Sequence, residues 1–360
     1  MADHKKHGPL AGTRIVEFAG IGPGPFASMI LSDLGAEVVR VDRPSDGPPE
    51  RGAVMTRGRN RVTADLKNPE QREAVLRLLD HADALIDVYR PGVLERLGLG
   101  PDVVHARNPK LIYGRMTGWG QTGPLALTAG HDINYIAITG ALQAIGPKDR
   151  PVPPLNLVGD YGGALYLIVG LLSGIIAARQ GITHQVVDAA MCDSAASMMA
   201  VFSDLMAIGQ WQCQRESNFL DGAAPYYRPY ECADGEHFSI GSMEPQFYKL
   251  LCEKTGFNAT EEERTNPANW PLLSTKLEAI FRTKTRAEWS ALLEGTDVCA
   301  APVLSLAEAP DHPHLAARQS FITRHGIPQP APAPRFSATP APVPRDSVET
   351  TLADQIAAWS

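Results

Sequence analysis

The chain of 360 residues predicts an α/β protein: a large unit built on a parallel sheet, then a smaller α+β unit. Three observations carry this. Residues 13–18 (TRIVEF) have a strand pattern, 26–34 have helical spacing, and 37–41 (EVVRV) are strand-like again, a β-turn-α-β opening that implies parallel pairing. Strand patterns then alternate with helical or loop stretches as far as residue 116. After residue 229 the pattern changes to a hairpin followed by helices. The length suits two compact units better than one.

The elements follow in order. Glycines 20, 22 and 24 lie in the first turn, spaced G-x-G-x-G. A dinucleotide fingerprint is G-x-G-x-x-G, and Pro23 and Pro25 lack the N–H groups a pyrophosphate would use. The turn therefore reads as a tight sheet-edge turn, not as a nicotinamide site. A polar loop follows Asp42-Arg43-Pro44 and reaches Asn60, with arginines at 51, 57, 59 and 61 in and beside it. Residues 61–66 form a strand, and 69–81 an amphipathic helix opening on Pro69 and Glu70. Residues 83–88 are a strand closed by Tyr89-Arg90-Pro91-Gly92. Arg96 follows on a short helix, and 111–116 is the next strand.

The apolar run 164–178 is shorter than the ~20 residues a membrane span needs. It reads as a buried core helix whose Gly170, Ser173 and Gly174 allow close packing. Residues 185–188 are a strand and 189–208 a long apolar helix, with Met191, Met198, Met199 and Met206 read as core in preference to the lining of an apolar site. Residues 209–229 are irregular and aromatic. Residues 230–241 form a hairpin turning at Asp234-Gly235. Helices then open at Glu244 and run over 271–281 and 286–293, and 301–304 returns as a strand. Proline is frequent over 328–344, which argues for an extended arm without regular structure. Residues 352–359 form a last helix.

Composition narrows the function. A net charge of −7 excludes a nucleic-acid binder held by a general positive field, though not a local basic pocket. Five scattered cysteines without CxxC spacing argue against a disulfide framework or a structural zinc site, and for a reducing, cytoplasmic setting. The polar N-terminus has no signal-peptide core.

Candidate chemistry sits in two places. Arg43, Lys67 and Arg90 each lie just past a predicted strand end, with Arg96 near, and ligands bind at that edge of an open parallel sheet. Converging cations suit a ligand with several phosphates. In the stretch 130–160, His131 precedes a helical segment and Asp160 precedes the apolar helix. Ionisable groups at helix mouths suit proton transfer, although both are also good capping positions. A carboxylate facing an apolar wall tends to a raised pKa. Glu244 opens a helix of the small unit and is unremarkable alone.

The chain resembles the class III CoA-transferase superfamily, and within it the racemases that act on α-methylacyl-CoA thioesters. The resemblance covers nearly the whole chain. It rests on Ala19-Gly-Ile-Gly-Pro-Gly-Pro25, Asp42-Arg-Pro44, Thr63-Ala-Asp-Leu-Lys67, Tyr89-Arg-Pro-Gly92, Arg96-Leu-Gly-Leu-Gly100 and Met116-Thr-Gly-Trp-Gly-Gln-Thr-Gly-Pro124. More specific are Gly130-His-Asp-Ile-Asn-Tyr135, Pro151-Val-Pro-Pro-Leu-Asn-Leu-Val-Gly-Asp160 and Glu244-Pro-Gln-Phe-Tyr248.

The resemblance implies a Rossmann-like large domain, a small α+β domain and an interlocked homodimer. The expected division is a large domain over 1–190, a linker over 191–228, the small domain over 229–305, a linker over 306–327, and an arm over 328–360 returning to the large domain. It implies His131, Asp160 and Glu244 as catalytic groups and Asp132 and Asn156 as oxyanion or supporting groups. CoA would be held by Arg43, Ala64, Lys67, Tyr89, Arg90, Arg96 and Gly118. The implied reaction inverts the carbon next to a thioester carbonyl. No metal or cofactor is expected, since CoA is part of the substrate, and neither a nucleic-acid partner nor a membrane span is expected. The alternatives are CoA transfer between carboxylic acids, with Asp160 as nucleophile, and a CoA-ester binding protein without activity.

Overall fold

In the computed structural model the described residues are 7–47 and 53–360. Arg51 of the arginine-rich loop lies outside them. Contacts divide the chain into two compact units: Met1–Thr139, Leu155–Met198 and Ala317–Ser360 in one, Gly140–Pro154 and Met199–Ala316 in the other.

The first unit contains strands β1 (Arg14–Phe18), β2 (Glu37–Asp42), β3 (Asn60–Thr63), β4 (Ala84–Asp87), β5 (Ile112–Thr117) and β6 (Val186–Ala190). With the C-terminal strand Val348–Glu349 they make a seven-stranded sheet ordered C-terminal strand-β3-β2-β1-β4-β5-β6, and every pairing is parallel. Strands covered on both faces must be apolar on both, and β4 and β5 are buried along their whole length. Ile15, Val38, Ala84, Ile86 and Ile112 meet Leu31 of the helix Pro23–Asp33 and Leu167 and Leu171 of the helix Gly162–Arg179. On the other face Val16, Val39, Val62 and Leu85 meet Leu78 and Leu79 of the helix Pro69–Leu79 and Trp359 of the helix Leu352–Trp359. Burying such a side chain contributes about 1.5–3 kcal/mol each. The C-terminal segment is tied in by the pairing of Val348 with Asn60 and by Trp359 Nε1 donating to Glu37 Oε2 at 3.1 Å.

The strand order reverses at β1, which has β2 on one side and β4 on the other. The crevice outside the carboxyl ends of these two strands is where such sheets bind ligands.

In the second unit β7 (Tyr227–Glu231), β8 (His237–Gly241) and β9 (Ala300–Pro302) form an antiparallel sheet. It packs around Phe238, Tyr230, Leu277, Phe281 and Trp289 with the helices Pro245–Thr255, Trp270–Phe281 and Arg286–Leu293. Phe281 stacks on Tyr230 with ring centres 5.1 Å apart.

Several expectations need correcting. The first helix starts at Pro23 rather than 26, because proline's missing N–H costs nothing in a first turn. The helix expected over 189–208 is two helices, Met191–Met198 and Ala200–Ala207, and residues 189 and 190 belong to β6. Residues 306–327 hold the helix Pro313–Ala317 and the strand Phe321–Arg324. That strand pairs antiparallel with Ile327–Pro330, inside the proline-rich stretch. A two-stranded ribbon is all edge, and edge strands accept proline. Met191 is buried, but Met198 and Met206 are exposed, so the methionines are not one core stripe.

The apolar helix Gly162–Arg179 is buried on one side only. Gly170 and Gly174 press on Val187 and Ile112. Leu165, Tyr166, Val169 and Ile176 on its outer face are 40–63% exposed. By length and composition it could cross a membrane, yet 44% of it is buried within the protein.

Candidate active site

The crevice at the strand reversal is a cavity of ≈ 560 Å³. Gly22 after β1, Tyr89 and Arg90 after β4, and Gly118 and Trp119 after β5 line it. The opposite wall brings in His131, Tyr135, Asn156 and Asp160.

His131 is the N-cap of the helix Asp132–Ala137. Its main-chain N–H donates to Asn134 Oδ1 at 3.0 Å, and its carbonyl accepts from the Asn134 N–H at 2.8 Å. These bonds use the main chain of the cap residue and hold the exposed imidazole at the cavity.

Asp160 arrives by a different device. Asn156 caps a five-residue π turn, Leu157–Tyr161, which runs into the helix Gly162–Arg179. Such turns are uncommon and concentrate at functional sites. The Asp160 N–H donates to Asp132 Oδ2 at 2.8 Å, and Asn156 Nδ2 donates to Asp160 Oδ2 at 3.1 Å. Burial raises the Asp160 carboxyl above the ordinary aspartate range and the Asp132 charge raises it further, while Asn156 and His131 pull it down. Asp132 itself is buried and its carboxylate turns towards the π turn.

Tyr135, one helical turn from His131, stands edge-on to Trp119 with ring centres 4.8 Å apart, and its hydroxyl donates to the Gly130 carbonyl. Its ring fills the space over residue 118, where a Cβ would lie 2.1 Å away, so only glycine fits there.

Of the expected CoA contacts, Tyr89, Arg90 and Gly118 line the cavity, and Arg43, Ala64, Lys67 and Arg96 do not. Arg43 is exposed and ion-paired to Asp46 at 3.0 Å. Lys67 and Arg96 are exposed. Ala64 is buried in the core, with its N–H donating to the Asp42 carbonyl at 2.9 Å. Glu244 is exposed at the N-cap of Pro245–Thr255 in the second unit and is not among the groups the first unit gathers. Among the described residues, no three His, Cys, Asp or Glu side chains are placed to hold a metal ion.

Sequence reasoning did not single out Gly22, Trp119 or Tyr135 as cavity walls, and it read Met191 as core more than as lining. Tyr135 was findable, since i and i+4 share a helix face. Trp119 sits in a glycine-rich turn just past a strand end.

A family model described as CoA-transferase family III matches residues 10–347. A Mus musculus protein named alpha-methylacyl-CoA racemase is 41% identical over 336 residues, covering 92% of this chain and 87% of its own. The Homo sapiens protein of that name is 40% identical with the same coverage. Among solved structures, a CAIB/BAIF family protein from Brucella suis matches with a TM-score of 0.80 at 30% identity, over 98% of each chain. This chain therefore belongs to CoA-transferase family III.

Proposed function

We propose that the protein is an isomerase that inverts the α-carbon of 2-methylacyl-CoA thioesters. The observation that carries the reading is that His131 and Asp160 open onto one cavity at the strand reversal. Its relatives at 40–41% identity, named as racemases of such thioesters, support it.

The chemistry follows from the substrate. A proton next to a thioester carbonyl is weakly acidic. When a base takes it, the C–H electron pair moves into the C–C bond and the carbonyl oxygen becomes an enolate oxyanion. The first N–H groups of a helix have no partner within it, and the opening at Asp132 offers such donors. One well-placed donor contributes about 3–4 kcal/mol. Inversion requires a second group to deliver a proton to the opposite face. His131, supported by Glu244, serves one face and Asp160 the other, with their roles exchanged in the reverse direction. Burial and the neighbouring Asp132 charge bias Asp160 towards holding a proton, which an acid/base group needs near neutral pH. Asn156 steadies its carboxylate. The proton transfers call for no metal or redox cofactor.

Tyr89, Arg90 and Gly118 hold the CoA portion inside the cavity, and Arg43, Lys67, Arg96 and the Ala64 backbone hold it along the same strand ends. Glu244 comes from the small unit of a partner subunit in a homodimer. The uncovered face of Leu165, Val169 and Ile176 supports an association through the first unit. Neither nucleic acid nor a membrane span enters this reading. A cytoplasmic setting belongs to it, supported by five cysteines that are all free.

The test is incubation of an (R)-2-methylacyl-CoA in D2O without an acceptor acid. Deuterium at the α-carbon and appearance of the (S) thioester are expected, and Asp160→Asn lowers both by about 10²–10⁴-fold. Slow labelling together with transfer of CoA to an added carboxylate identifies a CoA-transferase in which Asp160 is the nucleophile. Tight thioester binding with neither reaction identifies a binding protein.

A further inference from the structure

Asp132 stands out once Asp160 is placed, because its side chain is oriented by Asp160 rather than by its own helix. It is 8% exposed. Oδ2 accepts the Asp160 N–H at 2.8 Å, and Oδ1 is buried with no hydrogen-bond partner. A carboxylate oxygen left unpartnered in a low-dielectric place is costly unless it serves a purpose. The approach is also tight: a Cβ on residue 159 would lie 2.4 Å from Asp132 Oδ2. Gly159 is thus what lets this carboxylate reach the π turn.

We propose that Asp132 is a positioning residue for Asp160, seating its main chain through Oδ2 and facing its carboxyl with a like charge. This rests on the racemase reading for its consequence and for the kinetic test, but not for the titration. The other titratable and charged groups around Asp160 are Tyr161 on its own π turn, His131 and Tyr135 on the facing helix, Arg90 and Tyr89 from the turn after β4, and Cys192 on the helix Met191–Met198. Of the charges that act on Asp160, His131 favours its carboxylate and Asp132 opposes it. Burial is the larger cause that raises the Asp160 carboxyl, and the Asp132 charge adds to it; a racemase needs Asp160 to hold a proton in one direction of turnover.

The two parts of the role separate by substitution. Asp132→Asn keeps an oxygen acceptor for the Asp160 N–H but removes the charge. Asp132→Ala removes both. The pH dependence of kcat/KM for α-deuterium incorporation is measured for each. For Asp132→Asn the limb set by Asp160 moves to lower pH, the acid limb for the thioester enantiomer whose proton Asp160 removes and the alkaline limb for the other, because the Asp160 carboxylate is no longer opposed. For Asp132→Ala the limb moves likewise, and the plateau also falls by about 100-fold as Asp160 loses its seat. An Asn variant whose profile superposes on the parent overturns the proposal.

A readout independent of activity uses 13C-carboxyl-labelled aspartate in the unaltered protein, with the Asp160 resonance assigned through Asp160→Asn. The expected result is an Asp160 titration above the ordinary aspartate range, which Asp132→Asn moves down. An Asp160 that titrates at or below that range in the unaltered protein overturns the inference. If α-deuterium incorporation is absent while this titration behaves as expected, the racemase reading fails and the positioning of Asp160 stands.

Discussion

Two sets of cations in the first unit look alike in sequence and differ in structure. Arg57, Arg59 and Arg61 are buried against carboxylates. Arg57 Nε donates to Asp33 Oδ1 at 3.1 Å, Arg59 Nε lies 2.7 Å from Glu17 Oε2, and Arg61 Nε donates to Asp42 Oδ2 at 2.6 Å. Arg57 also donates to the Pro330 carbonyl at 2.9 Å, which ties the C-terminal segment to the first helix. Arg43, Lys67, Arg90 and Arg96 are exposed past the strand ends. A basic run says little about ligands until its carboxylate partners are counted. The buried set is already neutralised and holds the sheet edge together. The exposed set, apart from Arg43 on Asp46, has charge to offer.

Arg59→Met leaves Glu17 buried beside a weaker partner, Arg40 at 3.7 Å, and unfolding free energy falls by about 3–5 kcal/mol in urea titrations. A loss below about 1 kcal/mol would erase the distinction between the sets.

Asp87 sharpens it from the acidic side, as a buried carboxylate with only a long-range cation. Burial raises its pKa to about 7, against which the Tyr89 N–H and Arg115 act only partly. The folded protein therefore holds a proton that the unfolded chain has released between about pH 4 and 7, and it loses stability as pH rises through that window. Asp87→Asn keeps an acceptor for the Tyr89 N–H. Its unfolding free energy relative to the parent should grow from pH 4 to 7 and then level off.

For the exposed set, Arg90→Ala is expected to raise KM for the thioester about tenfold, the value of a charge-assisted hydrogen bond of ~1.5 kcal/mol, with kcat and melting temperature unchanged. The smallest effect belongs to Arg43→Ala. Its surface pair with Asp46 contributes less than about 1 kcal/mol to stability, and its KM should change less than that of Arg90→Ala. A larger rise than for Arg90→Ala would reassign the main CoA contact to Arg43.

Much of the site was legible because it depends on local grammar. His131 and Asp160 stand between turn formers and apolar helical runs, and helix mouths are visible in a sequence. Tyr89, Arg90 and Gly118 follow strand patterns. The carboxylate of Asp132 was not legible, since its partner is 28 positions away and meets it only because the π turn folds back on the helix 132–137. The arginines at 57, 59 and 61 read as loop charges for the same reason. Their partners Asp33, Glu17 and Asp42 lie 24, 42 and 19 positions earlier in the chain.

The sequence by itself determined the α/β class, the parallel start, the hairpin of the small unit, and which ionisable residues stand at element ends. These follow from side-chain periodicity and turn chemistry over a few residues. Only the tertiary structure decided the strand order, and with it the crevice between β1 and β4. The same holds for which cations are spent on carboxylates, for the uncovered face of Gly162–Arg179, and for the contact that joins Asp132 to Asp160. Each depends on groups far apart in the chain sharing a low-dielectric space, and no local pattern encodes that proximity.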